Sequence, residues 1–150
     1  MAKTKRPDPA GGVAFRYIET SALLAARIEN DAAAREAIRG EGHRFASALT
    51  IAEAMRTIAI AHTRGRLSPV EYRATVRWIQ RFANRCEIVA IGDEVIERVG
   101  RLFPVEPIRT LDAIHLATAE LVGDSPALTS IVTRDARIRQ NAIAMGFTVE

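Results

Sequence analysis

Long apolar runs, lysine and cysteine are what this sequence has least of. No apolar stretch approaches the roughly 18 residues that a membrane-spanning helix needs, so we expect no membrane association and a cytoplasmic protein. The single cysteine, Cys86, has no partner for an internal disulfide. The only lysines are Lys3 and Lys5, so every later cation is an arginine or a histidine. Arginine has the fork geometry that suits phosphate and carboxylate, although genomic composition and salt bridging also favour it.

The bulk composition is that of one ordinary globular domain. The chain has 150 residues, of which 48% are hydrophobic and 26% charged. The polar stretch 1–12 has no apolar core of a secretory signal, and we expect it to be a disordered tail in front of a single domain, 13–150. A net charge of +3 favours an anionic partner without identifying it.

Short runs rich in β-formers alternate with longer runs of helical periodicity. This alternation predicts an α/β fold with a mainly parallel sheet and helices on both faces. Ser68 is predicted to cap one helix and Thr110 another, and Gly65 and Gly146 are predicted to end helices. The predicted strands are 12–19, 43–49, 87–91, 127–133 and 147–150, and the predicted helices are 20–39, 50–64, 68–86, 92–103, 111–122 and 135–146.

Four acids share one setting. Glu19 and Asp135 follow predicted strands, Glu53 lies near the start of a helix after another strand, and Asp112 lies in the first turn of a helix. Each has a hydroxyl side chain within a few residues. These hydroxyls belong to Thr20, Ser21, Thr50, Thr110 and Thr133. Because the carboxyl ends of parallel strands share one edge, we expect the acids to meet in a crevice there.

Four gathered carboxylates raise one another's pKa unless a cation compensates them. A hard divalent ion such as Mg²⁺ or Mn²⁺ takes oxygen ligands of this kind and can activate a water molecule for phosphodiester hydrolysis. Taken singly, Asp112 and Asp135 are also what a helix dipole favours at its start. Glu53 lies among small and apolar residues, where an unpaired carboxylate is costly. The four together therefore favour a metal site.

Other residues are given structural interpretations. His115 lies one turn beyond Asp112, and we expect it to pack or hydrogen-bond, because hard-metal sites of this kind are built from oxygen. Trp78 and Cys86 are expected to fill the core, with nothing near the thiol to lower its pKa. An aspartyl-phosphate mechanism is disfavoured, because the first strand is not followed by an Asp nucleophile. The glycine–lysine motif of Walker nucleotide sites is missing.

A stripe of arginines recurs every four residues on the helix that begins at Ser68. Like charges at this spacing repel by a few tenths of a kcal/mol per pair. The stripe is interpreted either as a solvated face or as a contact for RNA phosphates or an acidic partner. Its members are Arg73, Arg77, Arg81 and Arg85.

Four motifs, "YIETSALL", "SALTIAEAMR", "RTLDAIHLATA" and "IVTRD", resemble in order and spacing the PIN-domain family, in particular the VapC-type toxin ribonucleases. The resemblance implies an α/β/α sandwich around a mainly parallel sheet and metal-dependent endonucleolytic cleavage of RNA, with tRNA or rRNA as the substrate. It also implies a VapB-like antitoxin as partner and a homodimer. By motif, the acids Glu19, Glu53, Asp112 and Asp135 stand at the Mg²⁺ or Mn²⁺ site, supported by Ser21 and Thr133.

One position departs from the family pattern. The first acid is usually Asp, whereas this chain has Glu19, whose extra methylene displaces the carboxylate by about one carbon–carbon bond. Octahedral Mg²⁺ tolerates such displacement poorly. The departure keeps a second hypothesis open, in which the chain is a catalytically weak PIN-fold module that binds RNA or an antitoxin.

Overall fold

The structure, a computed structural model, describes residues 13–123 and 125–150. The expected disordered tail, 1–12, lies outside the described residues. In chain order the strands and helices are β1 (Phe15–Ile18), α1 (Thr20–Ile28), α2 (Ala32–Arg39), β2 (His43–Ser47), α3 (Ala48–Thr63), α4 (Pro69–Ala83), β3 (Glu87–Val89), α5 (Asp93–Val99), α6 (Thr110–Val122), β4 (Thr129–Val132), α7 (Ala136–Ala144) and β5 (Thr148–Val149), with a 3₁₀ turn at Pro126–Leu128 before β4. No helix in these ranges is both long and apolar enough to cross a membrane.

The strands form one sheet in the order β3-β2-β1-β4-β5, and every neighbouring pair is parallel. The chain builds outward from β1 through β2 to β3, then returns to place β4 on the other side of β1. The strand order therefore reverses beside β1, which is where open α/β sheets form their ligand crevice. The predicted α/β fold with a parallel sheet is confirmed.

Helices cover both faces of the sheet and make two cores. On one face, α1 to α4 pack on side chains such as Ile18, Ala46 and Val132. On the other face, α5 to α7 pack on Tyr17 and its neighbours. Adjacent strand residues point to opposite faces, and all four residues of β1 are buried, as expected for a central parallel strand. The result is a three-layer α/β/α sandwich.

The helix predicted over 20–39 is wrong, because the chain breaks it into α1 and α2. Asn30 takes a left-handed conformation, φ 56°, and the Asp31 carboxylate caps α2 by accepting from the Ala34 amide at 2.9 Å. Asn tolerates this conformation and Asp is a strong N-cap. The sequence predicts one continuous helix because the alanine-rich segments on both sides have strong helical periodicity, which outweighs the break signalled by Asn30 and Asp31.

The other helix boundaries are mostly close to those predicted. Ser68 caps α4 in a capping box with Glu71, whereas the predicted end near Cys86 is three residues too late. The predicted Thr110 cap is wrong: Arg109 is the N-cap and Thr110 is the first helical residue. No side chain caps the start of α6, so the Thr110 hydroxyl does not mark where this helix begins.

Candidate metal centre

The four predicted acids lie near the carboxyl edge of the sheet. Glu19 follows β1 and caps α1, and Asp135 follows β4 and caps α7. Glu53 lies in the second turn of α3, and Asp112 lies in the first turn of α6. Residues from four separate chain segments thus converge beside the point where the strand order reverses.

Glu19 is both a helix cap and a member of the cluster. It is 4% exposed, and its Oε2 accepts from the Ser21 amide at 3.0 Å, from the Ser21 hydroxyl and from Thr133 Oγ1 at 2.8 Å. Its Oε1 lies 3.8 Å from Nε2 of His115. One carboxylate oxygen is therefore fixed by Ser21 and Thr133, the two predicted supporting residues, while the other faces the cluster.

Glu53 is held by a chain of buried polar groups. The Thr20 hydroxyl donates to Oε2 of Glu53 at 2.6 Å, and Nε2 of His115 lies 2.8 Å from the same oxygen. Burial alone would raise the pKa of Glu53, but the hydrogen bonds from His115 and Thr20 outweigh it, and the net pKa is lowered. Glu53 is therefore ionised throughout the neutral range.

The hydrogen bond with Tyr17 sets the tautomer of His115. The Tyr17 hydroxyl lies 2.6 Å from Nδ1 of His115, and burial raises the pKa of the phenol well above its usual range. A protonated phenol that donates to Nδ1 leaves the imidazole hydrogen on Nε2, where it points to Glu53. Ligand atoms of Glu19, Glu53 and His115 lie within 4.8 Å of one another. In this tautomer both ring nitrogens of His115 are engaged, so the carboxylates of Glu19 and Glu53, rather than the imidazole, are available as metal ligands.

Asp112 carries the clearest sign of an uncompensated charge. In the described part of the chain its Oδ2 is buried without a hydrogen-bond partner. Burial raises the pKa of Asp112, the negative charges of Asp135 and Glu19 raise it further, and Arg109 and the nearby His115 only partly oppose this. A buried carboxylate beside like charges is destabilising unless a cation joins it.

Asp135 is tied to the cluster through Thr133. Its Oδ1 accepts from the amides of Arg137 at 2.8 Å and Ile138 at 3.2 Å, which is the ordinary bonding of an N-cap. Its own amide donates to Thr133 Oγ1 at 3.0 Å, the hydroxyl that also holds Glu19. The cap role expected for Asp135 and its place beside Asp112 are thus compatible.

The donor set fits a hard divalent cation. Carboxylate oxygens of Glu19 and Glu53 lie within 4.8 Å of each other, with His115 beside them. The orphaned Asp112 oxygen lies near the charges of Glu19 and Asp135, which Arg109 and His115 only partly oppose. Mg²⁺ and Mn²⁺ prefer such oxygen donors.

Sequence reasoning missed the Tyr17–His115–Glu53 chain. His115 was expected to hydrogen-bond, and it does, but its partners lie on β1 and α3, far from it in sequence. The available signal was spacing: His115 stands one helical turn after Asp112, on the same side of α6.

Arg73, Arg77 and Arg81 are exposed along α4, as the four-residue spacing indicated. Arg85 is exposed too, but it lies two residues beyond the end of α4, so its predicted place on the helix is wrong. The two halves of the stripe have different surroundings. Arg81 and Arg85 line a cavity at the end of α4, whereas Arg73 and Arg77 do not. Contact with RNA or a partner remains a prediction for all four.

Comparison with known proteins places this geometry among its relatives. A family model described as PIN domain matches residues 16–144. Ribonuclease VapC35 of Mycobacterium tuberculosis is 36% identical over 137 residues, which cover 89% of this chain and 93% of the relative. Ribonuclease VapC46 of the same species is 33% identical over 135 residues, covering 89% and 94%.

Solved structures with a similar fold include two named as VapBC proteins. VapBC2 from Rickettsia felis, bound to a DNA fragment from its promoter, aligns with a TM-score of 0.61 over 91% of this chain and 97% of that chain, at 12% identity. VapBC-1 from nontypeable Haemophilus influenzae aligns with a TM-score of 0.56 over 91% and 96%, at 14% identity. At these identities the likeness concerns the fold.

Proposed function

The chain belongs to the PIN-domain family, and from that premise we propose that it is a divalent-metal-dependent endoribonuclease acting as the toxin of a toxin–antitoxin pair. The observation that carries the proposal is the buried Asp112 oxygen, which lacks a partner beside the negative charges of Asp135 and Glu19. The relatives named VapC35 and VapC46 are ribonucleases by name and cover nearly the whole chain.

Glu19, Glu53, Asp112 and Asp135 are the residues that would hold Mg²⁺ or Mn²⁺. When bound, such an ion supplies a Lewis acid that polarises the phosphodiester and lowers the pKa of a water molecule.

The chain's own residues fix the carboxylates before substrate arrives. Ser21 and Thr133 orient Glu19 from one side, and His115 and Thr20 orient Glu53 from the other. Side chains locked by second partners lose little freedom when they bind, which favours both metal affinity and positioning of the scissile phosphate.

Glu19 does not by itself favour the inactive alternative. Although it is longer than the usual Asp, its Oε2 is drawn back to Ser21 and Thr133, and its Oε1 remains turned toward the cluster near His115. A glutamate held in this way would still offer Oε1 to an ion bound at the cluster. Mn²⁺ is the ion that we expect to accept this longer ligand better.

The proposed partners follow from the same assignment. They are an RNA substrate, with tRNA or rRNA as the expected class, a VapB-like antitoxin and a second copy of the chain in a homodimer. The cytoplasm is the proposed location.

Induced expression in a bacterial host tests the toxin role. The wild-type chain should arrest growth and Asp112→Asn should not, at equal protein levels. Asp93→Asn is the matched control, because it removes the same charge from the first turn of α5, at an exposed position outside the cluster, and it should remain toxic. Normal growth with abundant wild-type protein would contradict the proposal, and so would arrest by the Asp112 variant.

A further inference from the structure

A cationic cavity of about 360 Å³ lies at the opposite end of α1 from the acids. It is open to solvent on one side and lined by residues of α2, of the last turns of α1 and α4, and of the segments that follow α1 and α4, together with Arg44 of β2. Six arginines line it. They are Arg27, Arg35, Arg39, Arg44, Arg81 and Arg85.

The charges of this cavity have no internal compensation. Among the described residues, none of the six guanidinium groups forms an ion pair with a carboxylate. Arg35 donates to the Asn30 carbonyl at 2.9 Å, and Nε of Arg27 is buried with no partner. Guanidinium groups remain charged at any physiological pH, so they cannot relieve their mutual repulsion by losing protons. A cavity built in this way is suited to an anionic ligand.

Aromatic rings add a second requirement to the ligand. Trp78 and Phe82 also line the cavity, are half-buried and stack on each other, with ring centroids 6.5 Å apart and planes 16° apart. Aromatic faces beside arginine forks are the surfaces on which single-stranded RNA stacks its bases and places its phosphates. An acidic peptide would satisfy the charges but would have no particular need for the rings.

The cavity is also within reach of the metal centre. Glu19 caps the start of α1 and Arg27 lies in its last turn, so the rise of the helix separates them by about 12 Å. A single strand of a few nucleotides covers that distance. A strand lying along α1 would thus have its cleaved bond at one end and its anchor at the other.

We infer that this cavity anchors a single-stranded stretch of the RNA substrate beside the cleaved bond, with phosphates on the arginines and a base on Trp78. The inference rests on the proposed ribonuclease function for its substrate class. It assigns to Arg81 and Arg85 a role that Arg73 and Arg77, on the same stripe, do not share.

Binding of an oligouridylate in EDTA, where metal-dependent cleavage is blocked, tests the inference. Arg81→Gln/Arg85→Gln should weaken binding roughly 25-fold at about 0.1 M salt and should flatten the logarithmic salt slope by about 1.4, from two lost phosphate contacts. Arg73→Gln/Arg77→Gln is the matched control, with the same charge change on the same exposed stripe, and its salt slope should stay near that of the wild type. Thermal melting checks that both variants are folded.

Tryptophan fluorescence provides a separate readout, because Trp78 is the only tryptophan in the chain. Stacking of a base should quench its emission when oligouridylate is added, and an oligoglutamate of equal charge should neither quench it nor displace the RNA. Equal losses in the two arginine pairs, or unquenched Trp78 in the RNA complex, would overturn the inference. Tighter binding of oligoglutamate would assign the cavity to an acidic protein segment instead.

The same variants separate this inference from the proposed function. If Arg81→Gln/Arg85→Gln binds RNA as the wild type does while metal-dependent cleavage is present, only the cavity inference fails. If Arg81→Gln/Arg85→Gln weakens RNA binding as expected but the wild-type protein cleaves no RNA with metal, the proposed function fails and the cavity remains an RNA site.

Discussion

Asp112→Asn should have opposite effects on stability with and without metal. Asparagine keeps the size of the side chain and removes its charge. In the metal-free protein the raised pKa of Asp112 means that its ionised form is disfavoured by folding. The stability contributed by a group with a raised pKa is complete below the unfolded pKa and is lost as pH rises through the folded pKa. At pH 7 ionised Asp112 is therefore destabilising, and the variant should melt above the wild type in EDTA.

With metal, the order should reverse. An ion that binds only the native state, at a free concentration a hundred times its dissociation constant, raises the free energy of unfolding by about 2.7 kcal/mol. For a chain of this size, each kcal/mol raises Tm by roughly 2–4 °C, so saturating Mn²⁺ should raise the wild-type Tm by about 5–10 °C. Asp112→Asn removes a ligand oxygen and the charge that attracts the ion, so most of this rise should vanish.

Thermal scanning with a Mn²⁺ titration against EDTA measures both effects. Asp93→Asn should follow the wild type, since it removes an exposed charge from a comparable helix start. The metal-induced rise should fade in mildly acidic solution, because protonation of Asp112 begins at a higher pH than for an ordinary aspartate. A wild-type protein with no shift at millimolar metal would refute the reasoning, and so would an equal shift in the Asp112 variant.

Three further predictions concern single side chains. Glu19→Asp should keep the fold and raise metal affinity, measured by calorimetry; a large loss of affinity would mean that the site is fitted to the longer side chain. His115→Phe should weaken metal binding by about 10- to 100-fold, because Glu53 loses its hydrogen bond from Nε2 of His115. His115→Gln should partly restore the affinity, because glutamine can still donate to Glu53. Equal affinities in the wild type and both variants would contradict a positioning role for His115. Desolvation raises the pKa of the half-buried Cys86 thiol to about 12, so at pH 8 its reaction with a thiol reagent should be much slower in the native than in the unfolded protein; equal labelling rates in the two states would contradict the raised pKa.

The sequence was most informative where local rules and tertiary structure agree. The alternation of strands and helices predicted the parallel sheet, and the carboxyl edge of that sheet brought the four acids together. Glu19 and Asp135 could be placed because Glu19 follows β1 directly and Asp135 follows β4 within three residues, and these two strands flank the point of reversed strand order. The break at Asn30 was missed because alanine-rich periodicity on both sides outweighed a two-residue signal.

Contacts between distant segments were beyond sequence reasoning. Tyr17, Glu53 and His115 lie on three different elements, and their hydrogen bonds depend on how α3 and α6 meet β1. The division of the arginine stripe has the same origin. Arg81 and Arg85 line a cavity together with residues of α1, α2 and β2, whereas Arg73 and Arg77 do not.

Cleavage of purified RNA is the most direct test of the central claim. Wild-type protein should cut a labelled tRNA or rRNA fragment internally with Mn²⁺ or Mg²⁺ and should leave it intact in EDTA. Glu53→Gln should abolish cleavage, whereas Glu94→Gln, at an exposed position on α5, should cut as the wild type does. Intact RNA with every metal, or cutting that persists in EDTA or in the Glu53 variant, would contradict the account.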